Sequence, residues 1–247
     1  MDKMRNGNFT SSEIFKLLSE PTIKAQKEGA IFGAPAKTYI KECNWERKLN
    51  RSIEKEVSAR PTSWGCLCEY FAFNQIGTEY KHCSQDTLQH PEISYWCGSP
   101  DGIKEDAGKT VIDFKCPELA TFCELSECKT IQEVRDNHKD GEKYYWQLVS
   151  GACITGAKWA ELIVFLPFQN QLQEIRDSVQ DENIVPIDQM YQYLWIKNSN
   201  DEELVYLPNE GCQYSNIHII RFEIPESDKI ALTSRVIEAG KLLIKPL

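Results

Sequence analysis

Two short segments of the sequence carry side chains that can perform chemistry together. The segment SPDG contains Asp101, and the segment VIDFKCP, which follows a short run of turn residues, contains Asp113 and Lys115. Residues two apart on a strand point to the same face, so Asp113 and Lys115 can project into one pocket while Phe114 turns to the core. Asp101 lies at the mouth of the adjacent predicted strand and can reach the same pocket.

Carboxylate oxygens grouped in this way suit Mg²⁺ or Mn²⁺ rather than zinc. A third acidic candidate is Glu69, in the helical segment WGCLCEYFA. A lysine beside such a site can orient a water or help to deprotonate it, and can offset the charge of a phosphate. The pattern therefore predicts metal-assisted hydrolysis of a phosphodiester. The simpler alternative is a β-hairpin in which Asp101 makes a turn and Asp113 and Lys115 are solvated.

The composition is that of an ordinary globular protein. The 247 residues are 41% hydrophobic and 26% charged, with a formal charge of −9. This excludes collagen-like, low-complexity and wholly disordered chains. No run approaches the roughly 18 apolar residues of a membrane helix. The N-terminus has no stretch of signal-peptide type, so a cytoplasmic protein is expected.

The cysteines favour neither disulfides nor a metal cluster. A cytoplasmic protein keeps its thiols reduced, and none of the ten cysteines stands in a CxxC pair. We therefore expect neither zinc nor an iron–sulfur cluster. The sequence gives no reason for so many cysteines.

Charge is distributed unevenly along the chain. Residues 1–60 hold 12 Lys and Arg against 8 Asp and Glu, whereas the remaining residues hold 16 against 29. A positive region can neutralise phosphates, and an acidic region can hold divalent metal. This polarity suits a metal-dependent enzyme that acts on DNA, although plain surface charge explains it almost as well.

The elements that must position these residues form one α/β domain. The first sixty residues read as mainly helical, with a helix after Ser11 and Ser12 and a second from about Lys37 to Glu56. A third helix begins near Pro61. The strands and helices predicted after it are Glu92–Trp96, Thr110–Phe114, Tyr144–Ile154 (helix), Lys158–Leu166, 170–190 (helix) and Ile217–Ile224. Pro225 then opens a closing helix whose apolar face includes Ile230, Leu232, Val236 and Leu243.

The segments SPDG and VIDFKCP resemble the core of the PD-(D/E)xK nuclease superfamily, and the Cys-Pro after the lysine resembles the YqaJ and phage lambda exonuclease group in particular. WGCLCEYFA is similar to the helix motif G-x-x-x-E-x-x-A of that group, with Glu69 as the acidic residue. YYWQLVSG is similar to its motif Y-x-x-Q, with Tyr144 and Gln147. RNGNFTSS is similar to its motif R-x-G-x-(apolar)-T-x-S, with Arg5, Thr10 and Ser12 at the matching positions, and KWAELIVFLP resembles the strand that follows the Gln helix.

This resemblance implies a restriction-endonuclease-like fold, a central mixed β-sheet flanked by helices. It implies a single nuclease domain over residues 1–247. Within it, residues 1–60 form a helical part with the 5′-end-binding segment, 61–167 the catalytic core, and 168–247 a strand and helix that complete the domain.

The resemblance also implies the roles of the site residues. Asp101, Asp113 and Glu69, with the backbone carbonyl of Phe114, would hold one or two Mg²⁺ ions, for which Mn²⁺ can substitute. Lys115 would position the attacking water.

The motif Y-x-x-Q implies supporting roles. Gln147 would orient Lys115 or the water, and Tyr144 would support its helix. Two features depart from related patterns. The family more often has Glu where this chain has Asp113. Related modules with iron–sulfur clusters use three cysteines after the Gln helix, whereas only Cys153 and Cys212 follow Gln147 here.

The resemblance assigns Arg5, Thr10 and Ser12 to the 5′-phosphate of a DNA end. It implies digestion of one strand of duplex DNA from 5′ to 3′, a ring-shaped homotrimer, a phage or prophage recombination role in a bacterial host, and a single-strand annealing protein as partner. The metal chemistry itself also serves endonucleases and repair nucleases. A catalytically silent DNA-binding protein with the same fold is the alternative outside enzymes.

Overall fold

The computed structural model describes residues 4–53, 59–83 and 86–244. The first part of the chain is mainly helical, as predicted, but its first helix is only a 3₁₀ segment, Ile14–Leu18. The N-terminal elements are β1 (Phe9–Thr10), α1 (Ile23–Lys27), α2 (Ala34–Leu49) and α3 (Arg60–Ile76). Helix α2 begins before the predicted Lys37 and ends at Leu49. The left-handed backbone of the next residue, Asn50 (φ 50°), caps the helix. The predicted end of this helix, Glu56, lies outside the described residues.

Short strands and three helices follow. They are β2 (Tyr80–His82), β3 (Leu88–Gln89), β4 (Trp96–Gly98), β5 (Gly102–Lys104), β6 (Thr110–Lys115), α4 (Leu119–Glu127), α5 (Ile131–Asn137) and α6 (Gly141–Thr155). The C-terminal elements are β7 (Trp159–Phe165), α7 (Leu172–Ser178), α8 (Leu194–Asn198), β8 (Ile217–Glu223) and α9 (Glu226–Gly240).

The described strands form two mixed sheets. The larger sheet has the order β2-β5-β6-β7-β8, in which β6 and β7 are parallel and the other pairs are antiparallel. The smaller sheet has the order β1-β4-β3, with β1 parallel to β4. The predicted fold class, a mixed sheet flanked by helices, is confirmed.

The two faces of the larger sheet bury two separate apolar clusters. Val111, Leu162 and Val164 belong to the cluster that includes the buried side chains of α6 and α9. The alternate residues Ile112 and Ile163 belong to the cluster that includes α3 and α7. The two-residue period of a strand explains this division. Asp113 therefore shares its face of β6 with Val111, and this is the face that α6 covers.

Close contact fixes the N-terminal segment beside β4. Phe9 pairs with Trp96, and the Ser11 amide donates to the Cys97 carbonyl at 3.0 Å. Only glycine fits at position 98 without a shift of Ser11, because a Cβ there would lie 2.0 Å from the Ser11 Oγ. The segment that contains Thr10 and Ser12 is thereby held next to the strand that leads to Asp101.

Several predictions about element boundaries and buried helix faces were wrong. The strand predicted at Glu92–Trp96 begins only at Trp96, because residues before it form a turn closed by the Trp96 amide on the Ile93 carbonyl. The helix predicted over 170–190 is only the seven-residue α7 followed by irregular turns. Ile230 of α9 is 59% exposed, whereas Leu232 and Val236 are buried.

No helix in the described ranges has the length and apolar character needed to cross a bilayer.

A buried hydroxyl joins the two sheets through α6. The Ser150 Oγ accepts from the Trp96 indole N–H at 2.8 Å and hydrogen-bonds the Ser11 hydroxyl at 2.8 Å. We predict that Ser150→Ala lowers the free energy of unfolding by about 1–3 kcal/mol, because it leaves buried polar groups without their partner. Urea denaturation measures this.

Ser126→Ala is the matched control. The Ser126 Oγ is buried and has no hydrogen-bond partner among the described residues, so its removal should cost little. Equal losses in the two variants would contradict the prediction.

Candidate active site

Three side chains from β6 and α6 form one hydrogen-bonded group. The Lys115 ammonium contacts the Asp113 carboxylate at 2.6 Å. The Gln147 amide nitrogen donates to the other Asp113 oxygen at 2.5 Å, and its carbonyl oxygen accepts from Lys115 at 3.5 Å. The amide thus connects both members of the ion pair. Asp113 is 4% exposed, so this pair is largely removed from water.

Asp101, in the turn between β4 and β5, is hydrogen-bonded to the same strand, β6. Its carboxylate accepts from the Phe114 backbone amide at 2.6 Å, and its burial is intermediate. The antiparallel pairing of β5 with β6 places Gly102 opposite Ile112, which brings Asp101 level with Asp113. A short strand pair therefore unites two carboxylates that are twelve positions apart in sequence.

Glu69 reaches the group from α3. Burial raises the pKa of Glu69 to about 7, with Lys115 opposing the rise and Asp113 adding to it. Burial, and then the charges of Asp113 and Glu69, hold the pKa of Asp101 well above its ordinary range. The carboxylates of Glu69, Asp101 and Asp113 are therefore close enough to repel one another. We call these three side chains together the carboxylate group.

Among the residues that the structure describes, Lys115 is the cation that offsets these charges. Burial alone would lower its pKa, but the ion pair with Asp113 raises it above the ordinary value. Its ammonium also lies 4.8 Å from the centroid of the Tyr144 ring. Tyr144 stacks in turn on His138, at a centroid distance of 5.5 Å. Tyr144 thus contacts both Lys115 of the site and His138 at the end of α5.

The donor set fits a hard divalent cation. Burial and neighbouring carboxylates raise the pKa of Asp101 and Glu69, and a bound divalent cation would favour the ionised forms of both. The side chains are held by protein partners, however. In residues 4–53, 59–83 and 86–244, no three His, Cys, Asp or Glu side chains converge as a ready ligand set. Asp113 is paired with Lys115, and Asp101 with the Phe114 amide.

A recess beside Asp113 extends toward the N-terminal segment. Its lining includes Ser11, Ser99, Pro100, Asp113 and Gln147. The hydroxyl of Ser11 turns inward to Ser150. Ser11 of the N-terminal segment thus lines the same recess as Asp113.

The hydroxyls of Thr10 and Ser12 cluster with that of Tyr39, a residue that the sequence did not indicate. Their two oxygens lie 3.4 Å apart, and the Tyr39 hydroxyl of α2 lies 3.3 Å from the Thr10 Oγ1. The Tyr39 oxygen also accepts from the Thr10 amide at 2.7 Å. Arg5 is exposed on the same segment. Tyr39 was missed because a tyrosine in a helical pattern carries no signal of this contact 29 positions away.

The sequence matches no protein-family model and no curated protein. Its structure is similar to those of solved exonucleases. LHK-Exo, an alkaline exonuclease from Laribacter hongkongensis, superimposes with a TM-score of 0.60 at 15% identity, over 96% of this chain and 89% of that chain. LHK-Exo in complex with dAMP gives 0.59 at 18% identity, over 97% and 90%. A phage-related exonuclease from Haemophilus somnus 129PT gives 0.59 at 15%, over 95% and 92%.

At these identities the similarity demonstrates a shared fold. The predicted fold, a central mixed β-sheet flanked by helices, is therefore shared with these exonucleases over nearly the whole chain.

The repulsion among the carboxylates generates a prediction for metal-free protein. Asp101→Asn should raise its melting temperature by roughly 2–4 °C, as relief of about 1 kcal/mol would in a chain of this size. The Asn side-chain oxygen can still accept from the Phe114 amide. Mn²⁺ should raise the melting temperature of the unaltered protein and have little effect on the variant. Differential scanning calorimetry with EDTA or Mn²⁺ measures both effects.

Glu79→Gln serves as the control, because Glu79 is an exposed carboxylate paired with Lys104 at the edge of the sheet. It should leave the metal response unchanged. An undiminished Mn²⁺ response in Asp101→Asn would remove Asp101 from the set of ligands.

Proposed function

We propose that this protein is a metal-dependent deoxyribonuclease that degrades one strand of duplex DNA from a 5′ end. The observation that carries the proposal is the group Asp113–Lys115–Gln147, with Asp101 bonded to the amide between the two strand residues. The shared fold with solved exonucleases supports the same class of activity.

The acidic side chains would hold the metal. Asp101, Asp113 and Glu69, together with the Phe114 carbonyl, would bind one or two Mg²⁺ or Mn²⁺ ions. Such an ion lowers the pKa of bound water and stabilises the charge of a leaving oxygen. The carboxylates that repel one another in the metal-free protein supply the negative charge that this binding requires.

The remaining polar groups would handle the water and the phosphate. Lys115 would position the attacking water and offset charge on the phosphate, because its ammonium lies beside Asp113. Gln147 contacts both residues and would keep the ammonium in place. Tyr144 would limit the movement of Lys115 through its ring. Hydrolysis would break the P–O3′ bond and leave a 5′-phosphate on the next nucleotide.

The 5′-end preference would come from the N-terminal segment. Thr10 and Ser12 present neighbouring hydroxyls, and Arg5 is exposed close to them in sequence. These groups lie on the segment that borders the recess beside Asp113. A terminal phosphate held there would orient the first phosphodiester toward the carboxylates.

The family resemblance extends the proposal to assembly and context. It supports a ring-shaped homotrimer on duplex ends, a phage-type recombination role in the bacterial cytoplasm, and a single-strand annealing protein as partner. Sedimentation equilibrium tests the assembly separately from the chemistry, since a monomer would remove the ring and leave the metal site intact.

Lys115→Gln should lower the rate of DNA cleavage by about 10²–10⁴-fold, the usual contribution of a positioned proton-transfer or water-orienting group. Linear duplexes labelled separately at each 5′ and 3′ end, with Mg²⁺, measure the rate and polarity. A covalently closed circle in the same tube tests for internal cutting. Binding of DNA in EDTA should change only a few-fold.

Lys109→Gln is the control, since Lys109 pairs with Glu105 in the turn before β6. Release of 5′ label with an intact circle supports the proposal. Cutting of the circle would identify an endonuclease, and no cutting even with Mn²⁺ would favour a silent DNA-binding protein. Full activity in Asp113→Ala would refute the site assignment.

Arg5→Ala should reduce the preference for 5′-phosphorylated over 5′-hydroxyl ends by roughly 10- to 100-fold, because it removes a charge-assisted contact with the phosphate. Parallel digestion of the two substrates measures the ratio. Arg51→Ala, which removes an exposed arginine after α2, should leave the ratio unchanged. An unaltered ratio in Arg5→Ala would exclude Arg5 from the end-binding group.

A further inference from the structure

The connection between β7 and β8 exposes large apolar side chains. We call residues 187–195 the aromatic segment. Ile187 and Tyr191 are each 67% exposed, and Leu194 is 41% exposed. The Tyr191 hydroxyl accepts from the Gln192 side-chain amide at 3.2 Å, which leaves the ring accessible. Grouped apolar exposure of this kind marks an interaction surface.

The aromatic segment is anchored to α3, the helix that carries Glu69. The Trp195 indole N–H donates to the Ser63 Oγ at 2.8 Å. The Arg60 guanidinium lies 5.3 Å from the Trp195 ring centroid. Met190 and Tyr193 pack against the apolar cluster that includes the buried side chains of α3. The segment therefore has a fixed position along the helix that leads to the site.

Tyr193 packs against the apolar cluster of α3, the helix that carries Glu69. It is half-buried, and its pKa is raised by burial and then by Cys66 and Glu69 of α3. Cys66 is exposed one helical turn before Glu69. The exposed Tyr191 is two residues from Tyr193 and lies in the same 3₁₀ turn as Met190.

The chemistry of this surface favours one occupant. Exposed aromatic and apolar side chains beside a phosphodiester-binding site suit the flat faces of nucleobases, and the exposed Arg60 suits the backbone. The exposed Asp188 is the one acidic residue of the segment. In a duplex the base faces are already stacked on their neighbours. A single strand, as exonuclease digestion produces, leaves them available.

We propose that the aromatic segment is a base-stacking surface for single-stranded DNA adjoining the carboxylate group, with Tyr191 as the stacking ring. Arg60 faces the phosphates of the same strand. This inference rests on the proposed function, because it takes the carboxylate group to be the site where a DNA strand is cleaved. Stacking on an aromatic ring tolerates any base, so the surface confers affinity without sequence preference.

The test compares a single-stranded oligonucleotide with an abasic copy of the same backbone. Binding is measured by fluorescence anisotropy in EDTA, so that no hydrolysis is required. The unaltered protein should bind the normal strand more tightly than the abasic one, by roughly 5- to 150-fold per stacked base. Tyr191→Ala should lose most of this discrimination, and Tyr191→Phe should retain it.

Ile230→Ala is the matched control, since Ile230 is comparably exposed on α9. It should discriminate between the strands as the unaltered protein does. Retained discrimination in Tyr191→Ala, or no binding of either strand by the unaltered protein, would overturn the inference.

The two proposals fail separately. DNA cleavage without any effect of Tyr191→Ala on base-dependent binding would leave the nuclease standing and remove the stacking surface. Base-dependent binding through Tyr191 without DNA cleavage would leave the stacking surface standing and remove the nuclease.

Discussion

The parallel pairing of β6 with β7 is the constraint on which the site depends. Two parallel strands cannot be joined by a tight turn, so the chain between them must cross over the sheet. Here the crossover contains α4, α5 and α6, and α6 packs on the face of β6 that includes Val111 and Asp113. Gln147 of α6 thereby meets Asp113 and Lys115 at hydrogen-bond distance. The connection that joins β6 to β7 therefore also completes the hydrogen-bonded group of Asp113, Lys115 and Gln147.

The electrostatics of the site are costly to the isolated protein. Burial and mutual repulsion raise the pKa of Asp101 and Glu69, while Lys115 is the cation set against them. Most folded proteins avoid grouping buried carboxylates, because each loses hydration without gaining a partner. Such groupings are found where function requires them, and a divalent cation is the partner that three oxygen donors suit. Polar contacts hold two of the carboxylates in place in the metal-free protein. Gln147 donates to Asp113, and the Phe114 amide donates to Asp101.

The two flanks of the carboxylate group differ in character. On the N-terminal segment, the hydroxyls of Thr10 and Ser12 lie near each other, and the Tyr39 hydroxyl of α2 lies near that of Thr10. The aromatic segment is anchored to α3 through Trp195. A polar flank suits a phosphate, and an aromatic flank suits bases. If a DNA strand binds at the carboxylates as proposed, these are two chemically different surfaces that it could meet.

The sequence alone determined the fold class and the local chemistry. Strand periodicity placed Asp113 and Lys115 on one face, and turn residues placed Asp101 beside them, because these relations depend only on neighbours along the chain. The motifs further indicated Gln147 and Glu69. The contacts of Tyr39 with Thr10 and of Tyr193 with α3 were decided only by the tertiary structure. Each joins residues tens of positions apart, and no local pattern specifies which helix face meets which segment. The boundary of β4 was likewise unpredictable, since its pairing with the N-terminal segment, not its composition, decides where the strand begins.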